Sequence, residues 1–358
     1  MTCNQPIIAI LESNKPYDNR IPIHPDHFPL IDKENVILQN DYAQLFGQSN
    51  ASLRLAGFDL LPRNTLLQQA DTLCILKPTP QDLIKMKPGS TLIGWCHAVQ
   101  QQKITEIAVQ KKLTLIAMEE MFFEIAGQKK HVFYENNFVA GYVGVEHALE
   151  STPVQYSKNA KIAIITFGTV SHGALSRLKE MGYSNITVFS RRTLSLDSNF
   201  KHNITYQKII PLKNTFITTD GQPFQKLLSQ FDIIINGIMQ DPLNPYIFLE
   251  KKDLCSLHNK LIIDISCDNG MGFEFAQPTN LNNPIIKLPN NNYYYAVENI
   301  PAINWKTTTL SISEQIRKLI TFIPKHTYCN KIDLCIENAT IIKSGIVYDY
   351  KLSQFMNN

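Results

Sequence analysis

Lys161 to Thr193 reads KIAIITFGTVSHGALSRLKEMGYSNITVFSRRT, the pattern of a strand, a tight turn, a helix and a second strand. Ile162 to Ile165 is short, apolar and followed at once by small residues, which suits a parallel strand covered on both faces. Gly168 then lets the backbone approach a ligand. From about Ser171 to Met181 apolar residues recur at helical spacing (Ala174, Leu175, Leu178, Met181), and Gly182 is placed to end that helix. Ile186 to Phe189 returns as a second strand. A dinucleotide pyrophosphate would sit over the helix start at Gly168, Thr169 and Val170, where unpaired N–H groups and the positive end of the dipole face it.

The glycine pattern of such a loop is incomplete. In the G-x-G-x-x-G register the three positions are Thr166, Gly168 and Ser171, so one glycine of the three is present, and Gly173 is expected to serve helix packing instead. On the loop alone, an ordinary βαβ unit without a nucleotide is an equal alternative. The second strand adds information at its end, where an NAD site places a carboxylate on the ribose. Here the chain reads Ser190, Arg191, Arg192. Two guanidinium groups suit the 2′-phosphate of NADP(H), and the carboxylate that NAD would use is missing. The competing reading is solvated surface charge.

At 358 residues the chain is expected to form two domains. It has 44% hydrophobic and 18% charged residues and a net charge of +3, an ordinary globular balance that calls for neither nucleic acid nor membrane as a partner. The seven cysteines are Cys3, Cys74, Cys96, Cys255, Cys267, Cys329 and Cys335; they are scattered, mostly in apolar runs, with no Cys-x-x-Cys. They read as reduced core residues rather than a disulfide scaffold or a metal site. The start MTCNQPIIAILE lacks the basic head and apolar core of a signal peptide, and a cytoplasmic protein is the expectation.

Along the chain, strands are expected at Pro6 to Leu11, Val36 to Leu38, Thr72 to Leu76, Thr91 to Trp95 and Thr114 to Ala117. Short helices or loops fall around Ala43 to Phe46 and Ser52 to Gly57, and helices at Gln81 to Met86 and Gln101 to Lys111. Glu119 to Lys130 is ambiguous, and Tyr134 to Asn137 reads as a polar corner. Phe138 to Leu149, FVAGYVGVEHAL, reads as a long buried helix with Gly141 and Gly144 allowing close packing, and as the bridge between domains. Strands follow at Asp232 to Asn236, Leu261 to Ile265 and Tyr293 to Val297. Asn282 to Asn292 looks like a loop, and Thr309 to Ile323 like a final amphipathic helix. The fold class is therefore α/β, two Rossmann-like domains with parallel sheets and an interdomain cleft. Residues 1–137 with 302–358 form the substrate domain and 138–301 the nucleotide-binding one.

Arg20, Lys77, His97 and Asp268 stand out as charged or titratable groups at strand ends or in loops beside them. Each taken singly reads as well as a surface charge, a bystander imidazole or, for Asp268, a turn with Asn269 and Gly270. As a set they fall in a familiar order. The segments DNRIPIHP, ILKP, GWCH, FVAGYVGVEHAL, KIAIITFGTVSHGA, FSRRT, FDIIINGI, IIDISCDNG and YYYAVENIP resemble the alanine dehydrogenase and transhydrogenase family. GWCH, the bridge helix and the strand-end arginines point to its carboxyethylornithine synthase branch.

The resemblance implies a reductive condensation, in which an amine and a 2-oxo acid, here ornithine and pyruvate, form an imine that NADPH reduces. Arg20 would hold the oxo-acid carboxylate by a bidentate pair, Lys77 and His97 would polarise the carbonyl and move protons, and Asp268 would orient the amine or a water. Asn236, Gly237, Asn299 and Ile300 would meet the nicotinamide end. Glu119, Glu120, Glu124 and Glu135 are candidates for a distal ammonium. An ammonia-using alanine dehydrogenase, a lysine-using relative and a nucleotide-binding regulatory protein stay open as alternatives. So does homo-oligomerisation, which the family favours.

Overall fold

A computed structural model of the chain describes residues 7–125, 127–192, 204–322 and 331–356. The fold divides into one compact unit of Met1–Tyr134 with Trp305–Asn358, and a second of Glu135–Asn304. The expected positions Cys3, Pro6, Thr193, Ile323 and Cys329 lie outside the described residues.

In the first unit six strands run parallel: β1 (Ile8–Leu11), β2 (Val36–Gln39), β3 (Asp59–Leu61), β4 (Thr72–Ile75), β5 (Thr91–Gly94) and β6 (Thr114–Ala117). Their order is β6-β5-β4-β1-β2-β3. The runs IAIL and TLCI are buried at every residue, as the two central strands of a covered parallel sheet require. The chain leaves β1 toward β2 and then returns to place β4 on the other side of β1. The direction of winding reverses there, and such a reversal opens a crevice beyond the carboxyl ends of the strands. β3 and the helix Arg63–Gln69 escape a reading by pattern, because the strand has three residues and the helix buries only Leu66 and Leu67. The ambiguous stretch after Met118 is a short 3₁₀ turn and a hairpin, β7 (Phe122–Ile125) against β8 (Gln128–His131).

Tyr134 to Asn137 is not a corner. It is the first turn of the helix Tyr134–Ser151, where Glu135 faces the positive end of the dipole and Asn136 is buried. In the second unit this helix lies against the helix Thr169–Glu180, and both glycines at the contact are required. A Cβ on Gly141 would fall 1.8 Å from the Val170 carbonyl, and one on Gly173 1.9 Å from the Phe138 carbonyl. At Gly144 a Cβ would meet Ile300 and Ile265 at ordinary distances, so close packing does not explain it.

The second sheet repeats the plan of the first. β9 (Ile162–Ile165), β10 (Ile186–Ser190), β11 (Ile204–Leu212), β12 (Thr215–Thr218), β13 (Ile233–Asn236), β14 (Ile247–Leu249), β15 (Leu261–Asp264), β16 (Gly272–Phe273), β17 (Ile285–Leu288) and β18 (Asn292–Tyr295) follow in sequence. The parallel order is β11-β10-β9-β13-β15-β18, with β12 and β17 antiparallel at the two edges and β14–β16 a separate pair. The winding reverses at β9. β17 corrects the loop expected over Asn282 to Asn292; as an edge strand with no fully buried residue it shows no apolar face. Gly182 ends the helix Thr169–Glu180 as expected: it holds φ +84°, and the Gly182 and Tyr183 N–H groups donate to Lys179 and Leu178 carbonyls.

The chain then returns to the first unit. The helix Trp305–Phe322 turns Ile312, Ile316, Leu319 and Ile320 inward. It is not the final element: the helix Lys331–Asn338, β19 (Thr340–Lys343), β20 (Ile346–Val347) and the helix Tyr350–Met356 follow. β19 joins the first sheet antiparallel to β6. Cys74, Cys96 and Cys335 are buried thiols, but Cys255 is exposed at the end of a 3₁₀ helix, which corrects its placing in the core. Among the described residues no helix is long and apolar enough to cross a membrane, and no group of three or more His, Cys, Asp or Glu is placed to hold a metal ion.

Candidate active site

Four adjacent strands of the first sheet, β1, β4, β5 and β6, each deliver a polar group beyond their carboxyl ends: Arg20, Lys77, His97 and Glu119. Gly94 permits this convergence. A Cβ there would lie 2.1 Å from the Ile75 carbonyl, so only glycine lets the GWCH loop run beside the ILKP loop. The Trp95 N–H donates to the Leu76 carbonyl at 2.9 Å and ties the two together. The Lys77 Nζ then lies 2.7 Å from His97 Nε2. The Arg20 Cζ and Lys77 Nζ lie 5.7 and 5.5 Å from the centroid of the Trp95 ring.

Arg20 is 2% exposed, and its Nε and Nη2 donate to Asp18 Oδ1 and Oδ2 at 2.8 and 2.6 Å. The bidentate fork expected to meet a substrate carboxylate is therefore held by Asp18, and a substrate anion would have to approach another side of the guanidinium. Burial alone would push the Asp18 carboxyl up; the adjacent Arg20 outweighs it and holds the group below the usual range.

His97 sits at φ +44°, a left-handed backbone uncommon for a residue with a Cβ. Glu119 stabilises it. The His97 N–H donates to Glu119 Oε1 at 2.5 Å and the Cys96 N–H to Oε2 at 3.2 Å, so one carboxylate fills the concavity formed by successive amides. The sequence marks Glu119 only as a candidate for an ammonium; its position under the His97 backbone follows from β6 lying next to β5. Asp18 and Trp95 were within the quoted motifs, but nothing in the pattern set them apart.

Burial shifts all three titratable groups of this cluster. Burial, then the Arg20 and Lys15 cations, draws the Lys77 ammonium down to about 7, while Asp18 and Glu119 pull the other way. Burial, then Lys77, holds His97 well below its ordinary value, so the imidazole is neutral near pH 7. Burial raises Glu119 to about 7. A lysine drawn toward neutrality against a neutral imidazole at 2.7 Å can give and take a proton at working pH, while the Glu119 carboxyl meets the backbone of His97 rather than its ring.

The second unit carries the other expected residues. Thr166 holds φ +71° at the first position of the glycine pattern, so the tight turn is kept although a β-branched residue makes it. Substitution Thr166→Gly is expected to relieve this strain. Set against the greater backbone freedom of glycine, the net gain is about 1 kcal/mol, measured as a shift in the midpoint of chemical denaturation. A loss of stability would show that the turn does not need the glycine conformation.

Gly168 caps the helix Thr169–Glu180 without a side-chain hydrogen bond, and a Cβ on it would meet nothing within 4 Å. Ser171 is fully buried and its Oγ has no hydrogen-bond partner among the described residues. Gly237 closes the other side, its Cβ position 3.0 Å from Val170 and 3.2 Å from Ser171 Oγ. Unpaired helix N–H groups, an orphaned hydroxyl and two glycines at the reversal between β9 and β13 fit a phosphate-bearing nucleotide.

Ser190 is buried and its Oγ accepts the Arg192 N–H at 3.1 Å, while Arg191 and Arg192 are exposed beyond the strand. Asn236 departs from expectation. It is fully buried, its Nδ2 donating to Asp264 Oδ1 at 2.9 Å and its Oδ1 accepting the Ile238 N–H, so its amide is committed inside the protein. Tyr294 donates to the other Asp264 oxygen at 2.8 Å, and burial raises Asp264 to about 7. This network ties the ends of β13, β15 and β18 together. Asp264 and Tyr294 carry no mark in the sequence, because each stands in a strand run. Asp268, half-buried, lies four residues after the end of β15 in a turn closed by the Met271 N–H to the Asp268 carbonyl. Asn299 is in the left-handed region at φ +59°, and Ile300 is 2% exposed, packed in the core of the second unit.

Arg20, Lys77 and His97 are thus gathered in the first unit, and Asp268 with the nucleotide-side residues belongs to the second. Two units, each a mostly parallel Rossmann-type sheet with its candidate residues at the strand ends, define a two-domain α/β class. The comparisons agree. Residues 9–140 match the model of the alanine dehydrogenase/PNT N-terminal domain and residues 145–350 that of the C-terminal domain, so the chain belongs to the alanine dehydrogenase/PNT family. It is 25% identical over 352 residues to the N(5)-(carboxyethyl)ornithine synthase of Clostridium botulinum, covering 95% of this chain and 99% of that protein. It is 27% identical over 330 residues to the enzyme of the same name from Lactococcus lactis subsp. lactis, covering 88% and 93%. A solved L-alanine dehydrogenase superposes with a TM-score of 0.77 at 15% identity, covering 98% of this chain and 99% of that one. The chain is accordingly an oxidoreductase of the dehydrogenase type.

Proposed function

We propose that the protein catalyses the NADPH-dependent reductive condensation of pyruvate with the side-chain amine of ornithine. The observation that carries this reading is the Lys77–His97 contact of 2.7 Å, with the lysine drawn down to about 7, in a chain similar over most of its length to carboxyethylornithine synthases. Attack of an amine on a carbonyl gives a carbinolamine, and its loss of water needs a proton on the departing oxygen and another taken from nitrogen. Lys77, drawn down to about 7, gives the first, and His97, neutral because burial and Lys77 hold it well below its ordinary value, receives the second. Arg20, held by Asp18, attracts the oxo-acid carboxylate, and Glu119 fixes the backbone that aims His97. Asp268 orients the amine or a water.

On the nucleotide side, Gly168, Thr169, Val170 and Ser171 hold the pyrophosphate, and Ser190, Arg191 and Arg192 the 2′-phosphate. Gly237, Asn299 and the Ile300 backbone serve the nicotinamide end, with Asn236 positioning Gly237 from beneath. When bound, reduced nicotinamide supplies the hydride for the imine carbon. Purified protein with NADPH and pyruvate is expected to consume NADPH fastest with ornithine. Faster consumption with ammonia or lysine would move the substrate assignment. NADPH binding with no turnover on any amine would contradict the enzyme reading.

A further inference from the structure

We infer that Tyr246 is a specificity-determining residue for NADP(H), because its ring holds Arg191 where the 2′-phosphate is recognised. The inference rests on the role given above to Arg191. Arg191 is exposed just beyond β10, and a long side chain in that place is mobile unless something fixes it. Its Cζ lies 5.8 Å from the centroid of the Tyr246 ring. A guanidinium over an aromatic face keeps its N–H groups in its own plane, available to an anion, while losing freedom to move.

Tyr246 is built as a support. It comes from the loop after β13, two strands away from β10. Gln240 clamps its backbone on both sides: Oε1 accepts the Tyr246 N–H at 2.6 Å and Nε2 donates to the Tyr246 carbonyl at 3.1 Å. The Gly272 N–H donates to the same carbonyl at 2.9 Å. Behind the ring, fully buried Phe216 lies 4.5 Å away, centroid to centroid, at 32°. An aromatic ring fixed at backbone and face, with a cation from another loop over it, has more order than a solvated arginine requires.

Dissociation constants of NADPH and NADH, from the fluorescence of the reduced nicotinamide, test this. Tyr246→Leu is expected to weaken NADPH about two- to five-fold and leave NADH unchanged, the size of an exposed cation–aromatic contact. Tyr246→Phe, which keeps the ring, is expected to match wild type. If the leucine variant does not fold, Tyr246→Met, unbranched and of similar reach, takes its place. Removing Arg191 is expected to cost less NADPH affinity in the Tyr246→Leu background than in wild type. Equal weakening of both nucleotides, or no change in either, overturns the inference while leaving the NADPH preference standing. A wild type that binds both nucleotides equally overturns that preference, and this inference with it.

Discussion

Lys77→Met is expected to lower kcat for reductive condensation on the order of 10³-fold, the middle of the range for removal of a general acid–base group. Methionine keeps the length and burial of the side chain and removes only the proton-bearing nitrogen. The effect therefore falls on turnover more than on KM for the oxo acid. The pH profile gives the sign. Lys77 titrates near 7, so its acid form is present below that value and is lost as pH rises through it. Wild-type kcat is expected to decline above about pH 7, and the variant to lack that limb.

The same shift makes a stability statement that separates chemistry from unfolding. The folded-state value of Lys77 lies below its unfolded one, so the folded protein binds fewer protons in between. The cost of charging the buried amine is in full force below about pH 7 and fades as pH rises toward the unfolded value. Lys77→Met is therefore expected to be more stable than wild type at pH 6, by a margin that shrinks at higher pH. A variant that is inactive and less stable at pH 6 would mean that the lysine is structural.

Arg191→Asp with Arg192→Ser is expected to lower kcat/KM for NADPH about 10²- to 10³-fold while that for NADH holds or rises. Each lost charge-assisted hydrogen bond to a phosphate oxygen accounts for about 1.5–3 kcal/mol, taken at the lower end because both side chains are exposed. The new aspartate meets the ribose hydroxyl in the manner of NAD sites. Steady-state kinetics with both cofactors decide it. Wild-type enzyme that uses NADH and NADPH equally would remove the role assigned to the two arginines.

What could be read from the amino-acid sequence follows a physical division. Strands buried on both faces, such as β1, β4, β9, β13 and β15, are continuous apolar runs and are visible as such. β11 and β17 lie toward the sheet edges, bury at most one residue each and leave no such mark. The site divides similarly. Arg20, Lys77 and His97 are charged residues that interrupt apolar patterns at strand ends, so they draw notice. Glu119 acquires its place only when β6 pairs with β5, and Asp264 is hidden by the strand that carries it. Asp18 shows the limit of motif reasoning: the arginine was found, but a neighbour two residues away holds its bidentate face.

The most direct test is to identify the product formed from pyruvate and NADPH when ornithine, lysine and ammonia are present together. The expected product has the mass of ornithine plus pyruvate, less one water, plus two hydrogens, with the new bond on the side-chain nitrogen. Alanine as the only product, or no product while NADPH binds, would contradict the account.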